Sequence, residues 1–259
     1  MDRLLKKRNA PIALIDSGAG GIGVLQEVQK LLPSEQLLYF GDTANAPYGE
    51  KNKQEILALV QRAAAQLIPH TKALVLACNT ATAVAAKALR EQYPSTPIIG
   101  MEPALAPAVR AAAAGHRPQI LVLATAATLR GQKFANLCKK HEKNATVRSI
   151  SAPGIVRLVE KGLADSPEMD AYLRTLLSGE ISPPDGVVLG CTHFPFAKNA
   201  LRRVLGDIPF FDGAAGTAKE LCRRLAESDL IAPPTATGGV RIFASDPRSL
   251  PLLTRLYKE

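Results

Sequence analysis

Tryptophan is absent from this chain of 259 residues, and aromatic side chains make up only 5% of it. A surface that stacks nucleic-acid bases interleaves aromatic and basic residues. No such interleaving occurs here, although the formal net charge is +9. The basic residues, among them Arg202, Arg203, Arg223 and Arg224, are dispersed over helical patterns. That dispersal describes a solvated basic surface that also favours anionic substrates, and no nucleic-acid partner is expected. Long apolar runs are missing too. A membrane-spanning helix needs about 20 mostly apolar residues, whereas the run Ile12–Ile15 ends at once in Asp16. No membrane partner is expected. The start, with Lys6, Lys7 and Arg8, imitates the head of a signal peptide, but Asp16 interrupts the apolar part and Gly18, Gly20, Gly21 and Gly23 follow. A cytoplasmic protein is the expectation. The four cysteines, Cys78, Cys138, Cys191 and Cys222, include no close pair. That spacing argues against a CxxC redox motif or a thiolate zinc site and points to four reduced thiols.

What the chain does have is alternation. Short apolar runs at Ile12–Ile15, Leu37–Phe40, Ala73–Ala77 and Ile98–Ile99 are separated by helical patterns over Ile22–Leu32, Glu55–Ile68 and Thr82–Arg90. The pattern then restarts with runs at Ile120–Leu123, Val147–Ser149 and Val187–Leu189. Strands alternating with helices indicate an α/β fold with mainly parallel sheets. The segment Leu74-Val75-Leu76-Ala77-Cys78-Asn79-Thr80 resembles Val187-Val188-Leu189-Gly190-Cys191-Thr192-His193. The two cysteines are about as far apart as the two starts at Asp16 and Ala124, so the α/β unit reads as duplicated. The expectation is two similar α/β domains with the active site in the cleft between them. Residues 1–102 and 213–259 would form the first domain and 103–212 the second, with Pro103 and Pro107 marking the crossing. A single β/α barrel of this length is the alternative architecture.

In open parallel sheets, ligands gather at the carboxyl ends of the strands. Cys78 and Cys191 both stand there, each followed by hydrogen-bonding residues, whereas Cys138 and Cys222 sit in helical patterns and read as structural thiols. Two facing thiols suit a redox disulfide, metal ligation with His193, or proton transfer on both faces of a carbon. Racemisation is the case that needs a base on one face and an acid on the other, and a thiol can be tuned to either role. The loop Asp16-Ser17-Gly18-Ala19-Gly20-Gly21 supports a competing reading. Gly18-x-Gly20-x-x-Gly23 fits the dinucleotide fingerprint, with Asp42 after the next strand, so a nucleotide-binding dehydrogenase is one alternative. A non-catalytic two-domain ligand-binding protein is another. Against the fingerprint, Asp16 places an anion beside the expected pyrophosphate, and the paired cysteines go unexplained. The helix N-terminus after Gly21 suits a carboxylate equally well. Gly41-Asp42-Thr43-Ala44-Asn45-Ala46-Pro47-Tyr48-Gly49 reads as a rigid loop.

Four segments in order, Asp-Ser-Gly-x-Gly-Gly (16–21), Pro-Tyr-Gly (47–49), Ala-Cys-Asn-Thr-Ala (77–81) and Gly-Cys-Thr-His-Phe-Pro (190–195), resemble the glutamate-type members of the aspartate/glutamate racemase family over nearly the whole chain. The resemblance implies two α/β domains, no cofactor and no metal. It implies Cys78 and Cys191 as catalytic thiols, with Asp16, Ser17, Pro47, Tyr48, Gly49, Asn79, Thr80, Thr192 and His193 at the substrate. It implies interconversion of L- and D-glutamate, with D-glutamate supplied to peptidoglycan. The Pro47-Tyr48-Gly49 pattern favours glutamate over aspartate. His193 is expected to poise Cys191, and Asp16 to poise Cys78. Glu160 matches a family glutamate near the second thiol, although Ala152 and Arg157 stand where the family usually has Cys and Pro. A homodimer is a candidate assembly.

Overall fold

The computed structural model describes residues 7–112, 115–179 and 183–259. The chain divides into two compact units, one made of the chain up to Met101 together with Ala214–Glu259, the other of Glu102–Gly213. In chain order the first unit begins with Ile12–Asp16 (β1), Ile22–Leu31 (α1), Gln36–Gly41 (β2), Lys53–Leu67 (α2), Ala73–Leu76 (β3), Asn79–Gln92 (α3) and Ile98–Gly100 (β4). The second unit contains Leu105–Ala112 (α4), Gln119–Ala124 (β5), Ala126–Leu129 (α5), Gln132–His141 (α6), Thr146–Ser151 (β6), Pro153–Glu160 (α7), Pro167–Leu177 (α8), Gly186–Leu189 (β7), Lys198–Leu205 (α9) and Phe210–Asp212 (β8). The chain then returns to the first unit as Ala214–Glu227 (α10), Gly239–Ala244 (β9) and Leu250–Lys258 (α11).

Both sheets are parallel throughout, ordered β4-β3-β1-β2-β9 and β6-β5-β7-β8. The central strands β1, β3 and β7 are buried at every position. A parallel strand covered on both faces shows this by being apolar without alternation, which is why these strands were visible in the sequence. On one face of the first sheet, Ala13, Ile15, Leu74 and Leu76 pack with Ile56 and Val60 of α2 and Ala81, Ala85 and Leu89 of α3. In the second unit, Leu121, Leu123, Val187 and Leu189 pack in the same way with Ile155 and Val159 of α7 and Leu173 of α8.

The two sheets share one winding. From β1 the chain moves to β2 on one side, then crosses back to β3 on the other. From β5 it moves to β6, then crosses to β7. The reversal leaves a gap above the carboxyl ends of β1 and β3, and a second above β5 and β7. Such reversals are where open α/β sheets bind ligands. Register puts Ile15 beside Leu76 and Leu123 beside Leu189, so Asp16 and Ser17 neighbour Cys78, and Thr125 neighbours Cys191.

Two elements depart from the sequence expectation. The third helix starts at Asn79, three residues earlier than the expected Thr82, because the Cys78 side chain itself acts as the N-cap and accepts the Ala81 N–H. Cysteine is not among the usual capping residues, so its capping role had no sequence signal. Strand β9 pairs with β2 at the edge of the first sheet, where its alternating half-exposed pattern leaves no contiguous apolar run. The returning segment is tied in by a buried ion pair between Lys72 and Glu35, whose Oε1 also accepts the Ala232 N–H at 2.8 Å. Among the described residues, no helix is long and apolar enough to cross a membrane.

Candidate functional site

The first constellation lies at the β1/β3 reversal. Asp16 is fully buried, and its Oδ1 accepts the Gly18 N–H at 2.8 Å. That bond turns the glycine loop inward. At Gly21 a Cβ would stand 2.7 Å from Cβ of Asp16, so only glycine fits. The Cys78 thiol approaches the Ser17 hydroxyl at 3.8 Å and the Ala81 N–H at 3.4 Å. A sulfur seated on the first turn of a helix stands at the positive end of the helix dipole. Asn79 and Thr80 are buried beside it. Among the described residues, neither the Oδ1 nor the Nδ2 of Asn79 finds a hydrogen-bond partner. Leaving such a group unmatched costs about 1–3 kcal/mol, so its retention marks a place where a polar ligand completes the bonding.

The Pro47–Gly49 turn packs near the same thiol. Tyr48 is fully buried in the same core as Cys78, and its hydroxyl donates to Asp42 Oδ2 at 2.6 Å. Burial, the bond to Asp42 and the negative charges of Asp42, Cys78 and Asp16 hold its phenol far above the ordinary tyrosine range. Its hydroxyl is therefore committed inside the protein, and what the turn can present to a ligand is backbone at Pro47 and Gly49.

The second constellation lies at the β5/β7 reversal. His193, 1% exposed, places Nδ1 3.7 Å from the Cys191 sulfur and Nε2 2.5 Å from Glu160 Oε1. Glu160 is the last residue of α7 and His193 lies just beyond β7, so the packing of α7 joins positions far apart in sequence. Burial disfavours charge on the ring, yet the bonds to Cys191 and Glu160 outweigh it and raise the imidazole well above the ordinary histidine range. A linked stability change follows. A group whose folded pKa is raised stabilises fully below its unfolded pKa of about 6.5 and loses that contribution as pH climbs through the folded value. The difference in melting temperature between wild type and Glu160→Gln should be greatest near pH 6 and shrink as pH rises. A pH series of thermal melts in which the gap widened with pH would contradict a charged His193–Glu160 pair.

A sequence profile described as Asp/Glu/Hydantoin racemase matches residues 23–221. The chain belongs to that family. It is 42% identical over 253 residues to a glutamate racemase of Clostridium acetobutylicum, covering 96% of this chain and 98% of the relative. Among solved structures it resembles glutamate racemase of Francisella tularensis in complex with D-glutamate, at a TM-score of 0.83 and 27% identity, over 97% of this chain and 95% of that one. It also resembles the Escherichia coli glutamate racemase in complex with L-glutamate and the activator UDP-MurNAc-ala, at a TM-score of 0.80 and 31% identity, over 95% of each chain.

The racemase fold distributes the expected residues as follows. Asp16, Ser17, Cys78, Asn79 and Thr80 gather at the first reversal; Cys191, Thr192, His193 and Glu160 gather at the second. The dinucleotide reading fails on geometry as well as family, because the Gly18 N–H that would face a phosphate is taken by Asp16. The two departures around Glu160 are benign. Ala152 is buried in the core that holds α7, and Arg157 is exposed. Sequence reasoning missed Thr125 and Thr128, two buried residues whose hydroxyls bond at 3.0 Å at the end of β5. The signal was present, since Thr125 is the repeat counterpart of Ser17.

Proposed function

We propose that this racemase interconverts L- and D-glutamate without a cofactor, using Cys78 and Cys191 as the two proton-transfer groups. The observation that carries the reading is the recurrence of a thiol at the same reversal point in each half of the duplicated winding. Relatives similar over nearly the whole chain are glutamate racemases. One sulfur, as thiolate, takes the α-proton. The other, as thiol, delivers its own proton to the opposite face of the carbanion. Each turnover leaves the two sulfurs with exchanged protonation, and solvent restores them. Ser17, Asn79, Thr80, Thr192 and the backbone at Pro47 and Gly49 hold the substrate, and the unmatched amide of Asn79 meets its carboxylate. Donors fixed in advance stabilise the charge that develops as the proton leaves. Thr125 and Thr128 serve the second half as Ser17 serves the first. His193 donates to the Cys191 thiolate and is itself held by Glu160. Asp16 shapes the loop beside Cys78.

In this reading the protein works in the cytoplasm as a homodimer, and its D-glutamate supplies peptidoglycan. The decisive assay incubates the purified protein with L-glutamate and follows circular dichroism to an equal mixture of enantiomers. Activity should survive exhaustive dialysis against a chelator and should be higher, as kcat/KM, on glutamate than on aspartate. Binding without turnover would leave only a ligand-binding protein. Restoration of lost activity by metal or by pyridoxal phosphate would overturn the cofactor-free mechanism.

A further inference from the structure

The loop between β2 and α2 holds a buried carboxylate that the thiol chemistry does not use. Asp42 directly follows β2 and is 5% exposed. Its Oδ2 accepts the Tyr48 hydroxyl at 2.6 Å, and Asn45 Nδ2 donates to its two oxygens at 2.9 and 3.1 Å. Its own N–H donates to the Asp16 carbonyl at 2.9 Å. Among the described residues it forms no ion pair with a lysine, arginine or histidine; its side-chain bonds are to neutral donors. A buried carboxylate held by neutral donors is costly to keep unless its geometry is used. The hydroxyl–carboxylate bond is of the short, charge-assisted kind. Asp42 thereby joins three things: the end of β1 at Asp16, the short helical turn Thr43–Asn45, and the buried ring of Tyr48 in the core around Cys78.

From this geometry we infer that Asp42 is a positioning residue, a strut that acts through Tyr48 to hold the Pro47–Gly49 turn against the Cys78 thiol. Its consequence for turnover rests on the racemase reading; the mechanical part does not. Tyr48 itself has no freedom to serve as a proton donor to substrate while its hydroxyl is bound to Asp42. Without the strut, the turn loses its anchor and the wall over Cys78 loosens. Cys191 should be unaffected, because the bonds of Asp42 among the described residues are to Asp16, Asn45 and Tyr48.

The test reads both halves of this claim on the folded protein. Native wild type, Asp42→Ala, Asp42→Asn, Tyr48→Phe and the double variant Asp42→Ala/Tyr48→Phe are treated with iodoacetamide, and labelling of the Cys78 and Cys191 peptides is timed by mass spectrometry. The rate at Cys78 should rise about tenfold in Asp42→Ala and in Tyr48→Phe, the size expected for losing one hydrogen bond to a charged group. The rate at Cys191 should stay constant. The double variant should be no faster than the faster single one, since both remove the same bond. Asp42→Asn, which keeps an acceptor for the tyrosine hydroxyl, should recover most of the loss. In the same variants KM for glutamate should rise more than kcat falls. Unchanged labelling at Cys78, a parallel rise at Cys191, or additive effects in the double variant would each overturn the strut. If Asp42→Ala does not fold, Tyr48→Phe, which preserves the ring, carries the test. A wild type that shows the labelling pattern but does not racemise glutamate would remove the proposed function and leave the strut standing.

Discussion

Cys78→Ala and Cys191→Ala should each abolish racemisation, lowering kcat/KM by at least about 10³-fold, within the range that general acid–base groups supply. The two losses have the same origin but different structural costs. Cys78 caps α3, so its removal also frees the Ala81 N–H and should cost about 1 kcal/mol of stability. Cys191 is no helix cap among the described residues, but its sulfur is bonded to the buried His193 ring, so Cys191→Ala should lower the melting temperature through loss of that bond. A further readout separates a two-base from a one-base mechanism. With one thiol left, the enzyme can still remove a proton from the one enantiomer whose α-hydrogen faces that thiol. In D₂O each alanine variant should therefore exchange the α-hydrogen of a single enantiomer, and the two variants should choose opposite ones. Exchange of both enantiomers by either variant, or racemisation at near wild-type rate, would sink the assignment.

His193→Asn and Glu160→Gln should bias the two directions of the reaction unequally. In the proposed mechanism the thiols would exchange roles between directions, and Cys191 has an imidazole at 3.7 Å backed by a carboxylate. Cys78 instead meets a serine hydroxyl and a helix N-terminus. Losing the imidazole should lower kcat by about 10²-fold in the direction that depends on the Cys191 thiolate, and by less in the other. The equilibrium between enantiomers is unity and no protein can move it. The less affected direction must then show a higher KM, so that kcat/KM falls equally both ways. Glu160→Gln should follow the same direction as His193→Asn with a smaller loss, because it acts only through the ring. Asp16→Asn should bias kcat the opposite way. Full kinetics from both L- and D-glutamate decide the matter, and equal losses of kcat in both directions for all three variants would show that the two halves are not poised differently.

Much of this architecture was legible in the chain alone. The central strands announced themselves because burial on both faces removes the need for polar residues; Ile12–Ile15, Leu74–Leu76 and Val187–Leu189 are the result. The duplication was legible because each half ends its third strand in a small residue, a cysteine and hydrogen-bonding groups. The edge strands β8 and β9 were not. Phe210–Asp212 is only three half-buried residues long, and Gly239–Ala244 alternates half-buried with exposed residues, so neither forms an apolar run that differs from loop sequence. The early start of α3 was hidden because its cap is a thiol.

The sequence by itself determined the chemistry available: two thiols at strand ends, an imidazole two residues from one of them, a glycine loop led by an aspartate, and a family identity spread over four motifs. Only the tertiary structure decided which of these groups meet. Crossing the chain back over β1 and over β5 is what sets Ser17 beside Cys78 and Thr125 beside the Cys191 strand. Packing of α7 is what brings Glu160 to His193, 33 residues away, and the course of the loop after β2 is what gives Asp42 to Tyr48. Periodicity in a sequence reports which faces are buried, and that is a local property of the chain. Which buried polar group finds which partner depends on strand order and helix packing, where residues distant along the chain are placed within hydrogen-bond reach by contacts that no single segment contains.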